Sequence, residues 1–263
     1  MSLFYFLSPP SADNVLLLIL SLVAFVMAAY AGRTCMPGEV HEETDVIPGA
    51  VVSLAVLLTA VVFLVALDGY TGREQAQVRE AQAAGRVWQY TGLLPQAQRS
   101  QAAVLLGEYL ELRIRFYHES SGIGARTWMR LSQDRQMKLW HLAEDNAMTS
   151  PSPVAAKMLD AFSGLDAALQ GTQAVWRRHI PDVIWAVLLL FAVSASFITG
   201  YQYRGMAVRP VFVLILPCLL SMSLFMVAET DLPGEGIIRV QPAELEWLAE
   251  QLPPAGGITG FVP

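Results

Sequence analysis

Four stretches of this chain, Asn14 to Ala31, Val46 to Leu67, Val183 to Tyr201 and Val211 to Ala228, are long and apolar enough to serve as membrane spans. A bilayer core of about 30 Å takes roughly 20 residues of helix. Within lipid each backbone N–H and C=O must find its partner inside the segment, which restricts such runs to helices. Composition agrees: 54% of the 263 residues are hydrophobic and 15% are charged, against roughly a quarter charged in an ordinary soluble domain. The sequence therefore predicts an all-α chain with four transmembrane helices in two hairpins and a helical soluble insert between spans two and three.

The expected parts are an N-terminal hairpin over 1–69, an insert over 70–181, a second hairpin over 182–228 and a tail with a short helix over 229–263. The first span lacks a basic leader, so it is read as a retained span. Asp13 or Asn14 is placed to cap it, covering amides that lipid cannot satisfy. Pro48 opens the second span and Asp68 with Gly69 closes it. In the insert, Leu105, Tyr109, Leu112 and Phe116 form one apolar stripe, with Glu108, Glu111, Arg113 and Arg115 facing elsewhere. Ser150 to Pro153 marks a turn. Met158, Phe162, Leu165, Leu169, Thr172 and Trp176 then recur every four and three residues, the spacing of a helix seam. That seam packs either within the insert or between subunits. Pro181 separates it from the third span, and Pro217 falls inside the fourth.

The net charge of −6 conceals a division: Arg73 to Pro181 holds 13 basic and 10 acidic residues, the remainder 4 and 13. The insert's arginines are mixed with acids along helical faces, the pattern of a solvated surface, so nucleic acid is not an expected partner. Cys35 and Cys218 lie in different hairpins and read as free thiols. An even number of spans puts both termini and the insert on one side. Arg73, Arg79, Arg177, Arg178 and Arg239 outnumber Arg33, Arg204 and Arg209, so that side is expected to be cytoplasmic, in the cell (inner) membrane.

Catalytic signals are missing. His41, His118, His141 and His179 have no partner at zinc-site spacing, and no hydrolase elbow or phosphate-binding glycine loop occurs. The chain is not read as an enzyme, and no cofactor is expected other than calcium. Glu229, Asp231 and Glu235 surround a Pro-Gly turn after the fourth span; they could offer oxygen ligands to Ca²⁺, or Asp231 could simply cap the turn. Arg177 and Arg178 are candidates to meet lipid phosphates or to answer those acids. Ser53, Thr59 and Phe63 in the second span are the pore-lining candidates, the last as an apolar gate that closes by dewetting.

The order of features resembles the bestrophin-like domain family over nearly the whole chain. The residues that carry the resemblance are Gly49 to Val62; Glu80, Ala81 and Gly85 running to Leu93, Leu94 and Pro95; Tyr109 and Arg113; Leu139 and Trp140; Pro181 with Trp185; and Glu229, Asp231, Pro233 and Gly236. The family usually has aspartate where Glu229 stands and arginine where Leu232 stands, so the charge balance of this turn is altered. The resemblance implies a homo-oligomer that conducts small ions, anions above all, with the second span lining the pore and an acidic calcium clasp after the last span. The alternative is a non-conducting scaffold or sensor that recruits a partner through its insert. Membrane lipid surrounds the protein in either case.

Overall fold

The architecture comes from a computed structural model that describes residues 10–34, 46–119, 122–203, 210–231 and 239–252. Among the described residues eight helices follow one another: α1 (Pro10–Thr34), α2 (Val46–Thr91), α3 (Gln96–His118), α4 (Gly122–Thr149), α5 (Pro153–Trp176), α6 (Asp182–Gln202), α7 (Pro210–Asp231) and α8 (Ala243–Gln251). No strand occurs among the described residues. Helices α1, α6 and α7 and the first part of α2 are long and apolar enough to cross a membrane. The protein is an integral membrane protein of all-α architecture.

The chain divides into two compact units, Met1–Gly69 with His179–Ile238, and Tyr70–Arg178 with Arg239–Pro263. In the first, the membrane unit, α1 packs against both α6 and α7. Its core is built from Phe25, Ala55, Val62, Ala66, Leu188, Ala192, Ala195, Leu220, Leu224 and Val227. Small residues let α1 and α6 touch through their main chains. A Cβ added to Gly200 would lie 2.6 Å from the Ala29 carbonyl carbon and nearer still to its oxygen. One added to Gly32 would stand 3.0 Å from the Phe197 carbonyl carbon and the Tyr201 nitrogen, and nearer to the Phe197 oxygen. Close backbone approach through glycine is the usual way membrane helices gain van der Waals contact without a hydrophobic driving force.

The second unit buries Leu94, Leu106, Tyr109, Leu110, Leu139, Phe162, Leu165 and Leu169 around one core. The α5 seam of Met158, Phe162, Leu165, Leu169 and Thr172 is buried there, and Trp176 packs against it through edge contacts with Phe116 and Tyr117. Ser152 caps α5 by accepting the Ala155 N–H at 3.1 Å, and Pro153 occupies the first turn, where its missing donor costs nothing. The C-terminal helix α8 joins the same core through Leu245 and Leu248, with Val240 and Leu252 on either side.

Several sequence expectations change. Asp68 and Gly69 do not end the second helix, which runs unbroken to Thr91. The Glu-, Gln- and Ala-rich stretch that follows is strongly helix-forming, and a single glycine costs only about 1 kcal/mol. Asn14 is not a cap: α1 starts at Pro10, and the Asn14 side chain is spent on a bond to α7. Arg113 does not face solvent with Glu108 and Glu111. It is buried, and the apolar face of α3 centres on Leu106, Tyr109, Leu110 and Phe116, leaving Leu105 and Leu112 at its edge. Five non-helical residues, Arg177 to Pro181, separate α5 from α6 where a single proline break was expected.

Candidate functional site

The membrane part of α2 has two distinct faces. Ala55, Thr59, Val62 and Ala66, spaced four, three and four, point into the packed core. On the other side Leu57 is 60% and Leu64 63% exposed, and Ser53 is exposed beside them. At about 100° per residue, Thr59 stands about 200° around the helix from Leu57. Of the three candidate pore residues, then, Ser53 lies on the outward arc and Thr59 on the packed face, its hydroxyl donating to the Ala55 carbonyl at 2.7 Å. Phe63 is half-buried against the core. The structure does not bring these three onto one face. Periodicity alone could have separated Thr59 from Ser53, six residues away and about 120° around the helix.

At the end of α7 two carboxylates are buried. The Asn14 amide donates to Glu229 at 2.7 Å, and the Ile180 backbone N–H donates to Asp231 Oδ1 at 3.0 Å. One helical stretch along, the Ser21 and Ser221 hydroxyls lie 2.7 Å apart and both reach the Leu18 carbonyl at 3.0 Å. These bonds form a polar seam between α1 and α7, in surroundings where each unpaired group would be costly. Glu235 lies outside the described residues, as do Cys35, His41, Arg204 and Arg209. Among the described residues no three His, Cys, Asp or Glu side chains come together as a metal site. Of the three candidate calcium ligands, Glu229 accepts from an amide on α1 and Asp231 from a backbone N–H. Arg177 and Arg178 are exposed, as is His179. Cys218 is a free, exposed thiol.

The most concentrated chemistry was not singled out as a site by residue pattern. In the insert unit, Glu80 and Arg113 form an ion pair whose side chains are both 0% exposed. Arg113 Nε and Nη2 both donate to the Glu80 carboxylate, the latter at 2.9 Å. Tyr109 donates to it at 2.8 Å and Thr172 at 3.0 Å. The guanidinium lies 4.4 Å from the Phe116 ring centre and 5.4 Å from that of Tyr117. Burial, with the Glu80 charge, pushes the Tyr109 and Tyr117 phenols above their ordinary range. Burial opposes the charge on Arg113, yet Glu80 outweighs it and holds the guanidinium more firmly protonated. This is a geometry for locking three helices, α2, α3 and α5, together. Arg73 and Gln77 are buried on the same face of α2. A sequence signal did exist, since Glu80, Tyr109 and Arg113 are among the residues that carry the family resemblance.

The Bestrophin-like domain pattern matches residues 16–245. The chain belongs to the bestrophin-like domain family. Its fold is similar to crystal structures of a bacterial bestrophin homologue from Klebsiella pneumoniae. One mutant form aligns with a TM-score of 0.66 at 9% identity, over 91% of this chain and 97% of that one. The form solved by zinc phasing aligns at 0.61 and 10%, over 90% and 96%. At such identity the likeness establishes this bestrophin-like chain's fold and nothing finer. No curated protein matches it in sequence.

Proposed function

We propose that several copies of this bestrophin-like chain surround a common axis and conduct small ions along the outward arc of α2. The observation that supports this reading is membership of the family over residues 16–245, whose characterised members are anion channels. The side chains suit the role. An arc of Ser53, Leu57 and Leu64 backed by a packed face gives a narrow apolar passage, which closes by dewetting and opens by a small widening. Thr59, bonded inward, supports the wall and does not line it.

Purified full-length protein in planar bilayers should give unitary currents. Their absence across voltages, salts and calcium concentrations would refute the reading. Calcium regulation through Glu229, Asp231 and Glu235 is carried by the same experiment, as a change in open probability with added Ca²⁺. Placing the insert and termini on the cytoplasmic side of the inner membrane predicts that Cys35 is labelled from outside only. Exposed Arg177 and Arg178 remain available to lipid phosphates, and their double alanine variant should bind anionic vesicles more weakly. A scaffold that recruits a partner through the α5 seam is the less supported reading, because Phe162, Leu165 and Leu169 are already consumed by the insert's own core.

A further inference from the structure

We propose that the insert unit binds a free α-amino acid, as its zwitterion, in the cleft between α2 and α8. Two small residues one turn apart on α2, Ala81 and Gly85, form the floor of that cleft with Leu248 of α8. A Cβ added to Gly85 would meet only Leu248 Cδ1, at 3.8 Å, so the two helices leave room there. The cleft has a volume of about 360 Å³, the scale of a small-molecule site and too little for a folded segment. Gln82, Arg86 and Gln89, spaced four and three, share the α2 wall, and Glu244 and Trp247 share the α8 wall.

The walls carry opposite charges, and neither is spent. Among the described residues Arg86 and Glu244 form no ion pair, with each other or with any other group. Arg86 Nη2 lies beside Gly164 of α5, 3.7 Å from where a Cβ would stand, so no side chain of that residue covers it. A ligand of one sign is attracted by one wall and repelled by the other, whereas a zwitterion is matched by both. A guanidinium donates two parallel hydrogen bonds to a carboxylate. An exposed indole attracts an ammonium, and Trp247, 60% exposed, stands three residues after Glu244 on the same wall. The Gln82 and Gln89 amides both donate and accept, which favours a ligand with a polar side chain. A ligand held from both walls ties α8 to α2.

Equilibrium binding to full-length protein in detergent tests the site, and it reads the same whether or not the protein conducts. Calorimetric titration with each of the common α-amino acids should give saturable heat for those with polar side chains. Masking one charge of the tightest binder, as its N-acetyl derivative or its α-carboxamide, should weaken it at least about tenfold, the loss of a hydrogen bond to a charged group. Arg86→Gln and Glu244→Gln, both at exposed positions, should each weaken the parent amino acid to the same degree. Gly85→Met fills the cleft with a good helix former and should abolish binding at unchanged helix content by circular dichroism. No saturable heat with any amino acid, masked derivatives that bind as tightly as the parent, or glutamine variants that bind like wild type would each overturn the proposal, and so would a folded Gly85→Met that still binds.

Discussion

Replacing Glu80 by leucine removes the acceptor of four hydrogen bonds and leaves the Arg113 guanidinium, 0% exposed, without its counter-ion. Breaking a buried pair from one side costs about 3–5 kcal/mol. The Tyr109 and Thr172 hydroxyls lose their acceptor as well, at about 1 kcal/mol each. Thr172 is partly compensated, because its hydroxyl also reaches the Ala168 carbonyl at 3.1 Å. The single variant should therefore lose about 4–6 kcal/mol from the insert, much of the total stability of an ordinary domain. Trp176 sits 4.9 Å from the Phe116 ring and 5.7 Å from Tyr117, so urea unfolding in detergent can be followed by tryptophan fluorescence. The double variant Glu80→Leu with Arg113→Met removes both charges and should recover most of the loss. A single variant that costs less than about 1 kcal/mol, or a double variant no better than the single, would refute the view of Glu80 and Arg113 as one coupled unit.

Alkali should act on the same network. In the unfolded chain tyrosine ionises near 10, while Tyr109 and Tyr117 are held above that when folded. The unfolded state thus loses protons first, so stability is full below about pH 10 and falls as pH rises above it; Tyr109→Phe should flatten the fall in a pH series of melting curves. In the membrane unit, Gly200→Ala should cost about 1–3 kcal/mol or more, seen as a lower melting temperature and poorer yield in detergent. Asn14→Leu leaves the Glu229 carboxylate without its 2.7 Å donor, for a loss of about 1–3 kcal/mol in the same assay. Ser221→Ala should cost less, since Ser21 keeps its own bond to the Leu18 carbonyl.

The spans were legible because lipid demands length and the absence of charge, and both are properties of a single segment. Ser150 to Pro153 was legible for a local reason: the turn between α4 and α5 falls there, with Ser152 as a cap. The α5 seam was readable as a stripe, though only packing could say that its partner is the insert itself. Glu80 and Arg113 escaped the pattern because a charge neutralised inside a core has the same spelling as a charge in water. Their burial depends on each other and on helices 33 residues apart in sequence. The orientation of Thr59 was hidden for the opposite reason. A hydroxyl in a span suggests a wet surface, but it can satisfy itself on the carbonyl one turn back and so face inward at no cost. Asn14 looked like a cap because its real partner, Glu229, is 215 residues away.

Where Gly32 and Gly200 let α1 and α6 meet backbone to backbone, the joint has no further room to shrink. Elsewhere in a core an enlarged residue can be balanced by trimming its neighbour. Here the neighbouring atoms are the Ala29 and Phe197 carbonyls, which no substitution can make smaller. Two positions are therefore closed to every amino acid but one, and a suppressor of Gly200→Ala must come from moving a whole helix.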